Sequence, residues 1–105
     1  MERQYVNDTI NTLVSHYFKR KRHECGLTGK QMGELLCVSQ QQISRYERGV
    51  TSIPLSVMVF FLNSYAFNLN DFFNYILEGV NAHYNITADK NIQYLNTELA
   101  LYTRL

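Results

Sequence analysis

The side chains best equipped to recognise another molecule fall in one short stretch, S-Q-Q-Q-I-S-R-Y-E-R-G at residues 39–49. Gln40, Gln41, Ser44 and Arg45 bring amide, hydroxyl and guanidinium groups together within two turns of a helix. Such groups match the donor and acceptor pattern of base edges in a major groove, glutamine with adenine and arginine with guanine. The helix itself is legible. Ser39 is placed to accept from a backbone N–H as an N-cap, and Gln42 can reach back to close a capping box. Gly49 supplies the left-handed residue that ends such a helix. The span predicted is about 40–48, some two and a half turns at ~3.6 residues per turn. Ile43 and Tyr46, three apart, point one way and anchor it; the polar groups point elsewhere.

A second capped segment stands just upstream and must hold this helix in place. Thr28 and Gln31 form another candidate capping box. Met32, Leu35 and Leu36 then follow at helical spacing, which predicts a helix over about 29–36. Cys37-Val38 leaves room only for a tight turn. Helix, short turn and polar-faced helix make a helix-turn-helix.

These residues resemble the DNA-binding domain of the Cro/C1-type (XRE) regulators. The resemblance runs through F-x-x-x-R-x-x-x-G-L-T at 18–28, S-Q-Q-Q-I-S-R-Y-E-R-G at 39–49 and L-N-D-F-F at 69–73, a little over half of the chain. The three glutamines, the small size and the extra C-terminal segment look most like regulators encoded with bacterial fimbrial operons. That likeness implies repression of motility genes when adhesion genes are on. The family resemblance implies an all-α, five-helix, lambda-repressor-like fold, here with an additional C-terminal helix. It further implies an ion pair between Arg22 and Glu47, with the arginine close to a phosphate. Gly33 sits where the family wants a very small residue, and the expectation is that a β-carbon is tolerated there but a long side chain is not. Gly29 departs from the family, which often carries a phosphate-binding glutamine at that place. Lys30 is the candidate to compensate.

The remaining elements follow from spacing and caps. Residues 1–8 read as an N-terminal arm, with Asp8 capping a first helix over about 9–25 whose buried face is Ile10, Leu13, Val14, Tyr17, Phe18 and Cys25. Lys19-Arg20-Lys21-Arg22-His23 reads as a solvated helix face, Arg22 excepted. Gly26 ends that helix. Pro54 falls at or near the first turn of a fourth helix over about 54–65, capped by Ser52 or Ile53. Its inward stripe is Leu55, Met58, Val59, Leu62 and Tyr65. Val57, Phe60 and Phe61 widen the apolar surface far around it, the mark of a partner site. A fifth helix covers about 69–78, with Asn68 or Asn70 near its cap and Gly79 as its end, so residues 9–79 form the DNA-binding domain. Residues 80–105 are an extension. Thr87 caps a last helix over about 88–103, where Ile92, Leu95, Leu99 and Tyr102 recur at 3-4-3 spacing. That seam either folds back on its own domain or pairs across a dimer.

Bulk properties restrict the function classes. The net charge is only +1, but residues 1–50 carry +3 and residues 51–105 carry −2. The positive half holds the helix-turn-helix, which suits an anion on one side and a protein on the other. Cys25 and Cys37 read as buried core thiols; a metal site with His16 or His23 is the alternative, though no C-x-x-C or H-x-x-x-H spacing supports it. Met1 is followed by no signal-peptide pattern and no apolar run nears ~20 residues, so a cytoplasmic, nucleoid-associated protein is expected. The carboxylates are scattered, and no phosphate loop, nucleophile motif or partner for His16, His23 or His83 is present, so no enzyme is expected.

The expected mode is therefore binding of double-stranded DNA at an inverted-repeat operator by a homodimer. Gln40, Gln41, Ser44 and Arg45 are the candidate base readers. Thr28, Lys30, Gln42, Arg48, Thr51 and Arg22 are the phosphate candidates, Gln42 alternatively staying in its cap. Val57, Phe60, Phe61, Ile92, Leu95, Leu99 and Tyr102 are the dimer candidates. No cofactor, metal, membrane or small-molecule effector is implied. An antitoxin or protein-interaction adaptor on the same fold is the competing reading.

Overall fold

A computed structural model describes residues 2–85, with side chains for residues 3–83. Five helices and no strands are found among the described residues: α1 (Glu2–Glu24), α2 (Gly29–Leu36), α3 (Gln40–Glu47), α4 (Leu55–Ser64) and α5 (Leu69–Asn85). The expected all-α fold is thus the observed one. The last helix expected from the sequence, with Ile92, Leu95, Leu99 and Tyr102, lies outside the described residues.

Phe18, fully buried on α1, sits at the centre. Its ring meets Tyr46 of α3 edge-on at 6.0 Å and Phe61 of α4 at 5.6 Å. Tyr17, Met32, Ile43, Met58, Leu62 and Phe72 complete the enclosed cluster. Each helix therefore delivers at least one large side chain to the same core, which is how elements this short become stable at all. α1 and α5 pack antiparallel, with Tyr17 against Phe72 at 5.0 Å and against Tyr75 at 5.2 Å.

Several boundaries differ from the sequence reading, each for a physical reason. α1 begins at Glu2, so residues 2–8 are helical rather than an arm, and Asp8 is an interior residue that accepts from Gln4 Nε2 at 3.0 Å. α5 does not stop at Gly79 but runs to Asn85. Gly79 is there for closeness: a β-carbon would fall 2.5 Å from Leu13 Cδ2 on α1. The expected limits of the DNA-binding domain therefore fall inside helices at both ends. Pro54, not Ser52 or Ile53, is the N-cap of α4, at φ −59°, with no side-chain cap bond.

α4 also faces differently. Phe61 is fully buried, whereas Leu55, expected inward, is 59% exposed and Phe60 is 54% exposed. Phe61 thus leaves the set of dimer candidates, because a side chain enclosed in its own core has nothing to offer a second copy. Cys37 is corrected too. It is exposed, in the left-handed region at φ 59°, closing α2 from outside the core. Cys25 is half-buried against the core, and burial pushes its thiol pKa up, as expected of an inert thiol.

The candidate nucleic-acid interface

The geometry of α2, turn and α3 is fixed by backbone devices. Thr28 Oγ1 accepts from the Gln31 N–H at 3.0 Å while Gln31 Oε1 accepts from the Thr28 N–H at 2.9 Å, a complete capping box. At α3 only half of the expected box forms: Ser39 Oγ accepts from the Gln42 N–H at 3.0 Å. Between them, the Val38 N–H donates to Gly33 O at 2.9 Å. The turn is so tight that a β-carbon on Gly33 would lie 2.6 Å from the Val38 carbonyl oxygen. The expectation that a β-carbon is tolerated at Gly33 is therefore corrected: the obstacle is the backbone of the turn itself, at Val38 and Ser39. Gly49 takes the left-handed conformation expected of it, at φ 72°.

Ile43 and Tyr46 are buried and fasten α3 to the core. Gln40, Gln41, Ser44, Arg45 and Arg48 are all exposed, and Gln42 is half-buried beside its cap. Arg45 and Gln41 make no side-chain hydrogen bond or ion pair among the described residues, so both are free to meet a ligand. Ser44 is already engaged: its hydroxyl accepts from Arg48 Nε at 3.2 Å. Thr28, Lys30 and Thr51 are exposed at the flanks. The Thr28 hydroxyl uses a lone pair for its cap and keeps its proton to donate.

The Arg22–Glu47 pair implied by the resemblance is present and bidentate. Arg22 Nε donates to Glu47 Oε2 at 2.6 Å and Nη2 donates to Oε1 at 2.9 Å, while Nη1 donates to the Leu27 carbonyl at 2.7 Å. The hydrogen bond to Glu47 holds the Arg22 pKa above its ordinary value, with burial opposing it. One guanidinium thus ties α1, the α1–α2 loop and α3 together, and both side chains are nearly enclosed, 12% and 9% exposed.

An open cleft of about 290 Å³ runs beside this pair, bordered by Lys19, Arg22, Gly29, Gln40, Ser44 and Arg48. With Ile43 and Glu47 the lining numbers eight, of which three are cations and one, Glu47, is an anion already paired to Arg22. Lys19 was not among the phosphate candidates, because it was assigned to a solvated face. Its position three residues before Arg22, hence on the same side of α1, was the available signal. Two neighbours in that basic run are not simply solvated either. Arg20 lies over the Tyr75 ring at 4.9 Å and Lys21 over Phe67 at 4.7 Å. Among the described residues no cluster of His, Cys, Asp and Glu is placed to hold a metal ion, and no helix is long and apolar enough to cross a membrane.

A rigidly capped helix pair with an exposed amide-and-guanidinium face on its second helix defines a helix-turn-helix DNA-binding protein. A family model described as helix-turn-helix matches residues 18–71, about half of the chain, and the chain belongs to that family, the Cro/C1-type transcriptional regulators. No curated protein and no solved structure matches the chain. The family's domain is a DNA-binding and not an enzymatic one.

Proposed function

We propose that the chain binds an inverted-repeat operator as a homodimer, with α3 of each copy in a major groove. The observation that carries this is the α3 surface itself: Ile43, Tyr46 and Glu47 fasten the helix, and Gln40, Gln41, Ser44 and Arg45 are left exposed. Gln40, Gln41, Ser44 and Arg45 read base edges. Thr28, Lys30, Gln42, Arg48 and Thr51 bind phosphates, with Arg22 adding charge at the edge of the cleft. Two-fold symmetry would set the two reading helices roughly 34 Å apart, one duplex turn. The surface for that symmetry is the outer side of α4, where Leu55 and Phe60 are exposed and Val57 is half-buried, with exposed Val50 nearby in sequence.

The likeness to fimbrial-operon regulators extends the proposal to repression of motility genes. Crosslinking the tagged protein to DNA across a genome tests both parts, because it yields the site and the genes together. A recurrent two-fold site whose affinity falls steeply with salt supports the proposal. Scattered recovery with no shared sequence defeats it.

The exposed apolar side of α4 also suits a second reading, an antitoxin or adaptor that uses this fold against another protein. Pull-down from nuclease-treated extract separates the two. Loss of every partner after treatment favours the DNA reading, and a retained stoichiometric protein favours the adaptor.

A further inference from the structure

The cleft beside the Arg22–Glu47 pair holds two cations that the fold itself does not use. The run Lys19-Arg20-Lys21-Arg22 divides by what each side chain meets. Arg20 lies over the Tyr17 and Tyr75 rings and within 3.9 Å of Glu24. Lys21 lies over Tyr17 and Phe67 and pairs with Glu24 at 3.0 Å. Arg22 is forked onto Glu47. Lys19 is exposed and has no charged or aromatic partner among the described residues. Phe18, wholly buried beside it, fixes the rotation of α1, and Lys19 borders the cleft with Arg22 one turn on. Arg48 reaches the same cleft from the C-cap of α3. Its Nε donates to the Ser44 carbonyl at 3.4 Å and to the Ser44 hydroxyl at 3.2 Å. The guanidinium is thus held by one nitrogen, while Nη1 and Nη2 make no hydrogen bond among the described residues.

We propose that Lys19 and Arg48 together grip one backbone phosphate of the duplex in this cleft. Arg22 and Glu47 neutralise each other, so the charge left in the lining is that of Lys19 and Arg48. Two uncompensated cations select an anion over a base edge, which is neutral. A phosphate offers several acceptor oxygens to an ammonium with three donors and to the open edge of a guanidinium. Gly29 adds no side chain to the lining, and even a β-carbon there would meet only Gln40 within 4 Å, so nothing on that side closes the cleft. The inference rests on the DNA reading and deepens it. Lys19 joins the contact surface, and Arg48 shares a phosphate with it instead of taking one alone. A phosphate held between α1 and α3 sets the roll of α3 about its own axis, and with it the approach of Gln41 and Arg45 to base edges.

Fluorescence anisotropy of the full-length chain on a mixed-sequence duplex of about 20 base pairs, two helical turns, tests this across a salt series. Such a probe averages over base preference and reports phosphates. Each phosphate neutralised contributes about 0.9 to the slope of log affinity against log salt. Lys19→Ala and Arg48→Ala should each weaken binding with little change of slope, since the other cation still neutralises the phosphate. The double variant should lose about 0.9 of slope per bound copy, and about eightfold or more in affinity at 0.1 M salt. Arg20→Gln removes the same charge from α1 at a site turned to Tyr75 and should bind like the parent chain. A double variant that keeps the parent's slope overturns the proposal. So does a loss of about 1.8, which would give each cation its own phosphate. An Arg20→Gln loss equal to that of Lys19→Ala also overturns it, because net charge alone would then be at work. A parent chain with no salt-dependent affinity for duplex sinks the DNA reading and this one together, whereas a binding parent with an unaltered double variant sinks this one alone. Both side chains are exposed; should Arg48→Ala fail to fold by circular dichroism, Arg48→Gln takes its place.

Discussion

The two halves of this small domain are held by different means. Around α2 and α3 the constraints are backbone geometry and one charged clamp: two N-caps, a carbonyl pressed against Gly33, and Arg22 forked onto Glu47. Around α1, α4 and α5 the constraints are side chains, chiefly aromatic rings meeting at 5–6.5 Å and two cations lying over them. A packed side chain can change rotamer when a neighbour changes, whereas the carbonyl facing Gly33 is backbone and moves only with the turn. The stiffer half is the one that must present several side chains to a duplex in fixed register. The softer half carries the exposed apolar surfaces, where adjustment to a partner is useful.

Substitutions can sharpen or break that contrast. The largest effect should come from Phe61→Ala, which empties the centre of the softer half and should cost about 3–5 kcal/mol in urea unfolding. Phe60→Ala, one residue away and facing out, should leave monomer stability nearly intact and weaken self-association in sedimentation. Equal losses from the two would undo the assignment of α4's faces.

Next is Glu47→Ala. It strands the Arg22 guanidinium in a nearly enclosed site, at an expected cost of about 3 kcal/mol, the low end for a broken buried pair because some solvent reaches it. The two close glycines then divide the halves directly. Gly33→Ala drives a β-carbon into a backbone oxygen and should cost about 2 kcal/mol or more. Gly79→Ala has as its nearest neighbours the isobutyl atoms of Leu13, a side chain that can change rotamer, and gains helix propensity of up to ~1 kcal/mol. It should lie within about 1 kcal/mol of the parent chain by the same urea titration. If Gly79→Ala were the costlier change, the α1–α5 half would be the rigid one.

Arg45→Ala should leave folding untouched. Its effect, about 1–3 kcal/mol of discrimination at one base position, would be read by competition binding with point-substituted duplexes. A base preference unchanged at every position would remove Arg45 from the readers.

Legibility in the sequence followed the same division. Capping side chains announce themselves at i and i+3, so the Thr28–Gln31 box, the Ser39 cap and the limits of α2 and α3 could be found from spacing. The Arg22–Glu47 pair came through family likeness. The softer half was harder. α4 is apolar over most of its circumference, so periodicity could not fix its phase, and Leu55 and Phe61 were exchanged. Gly79 looked like a stop because glycine marks both helix ends and close helix contacts, and only the position of Leu13 distinguishes them. Cys37 reads as a core thiol because it falls where the helical pattern wants a small apolar group, and a left-handed cap is seldom a residue other than glycine or asparagine, so nothing in the sequence marks it as one.

Gly29 presents hydrogen where a side chain would have touched Gln40 Cγ at 3.7 Å. Gln40 is therefore left with its torsional choices when the protein is alone in solution; were it to read a base as proposed, the freezing of about 1.5–2 kcal/mol of rotamer entropy would fall on encounter with a duplex rather than on folding. A bulkier neighbour would have settled that choice beforehand, trading versatility at one base step for tighter association.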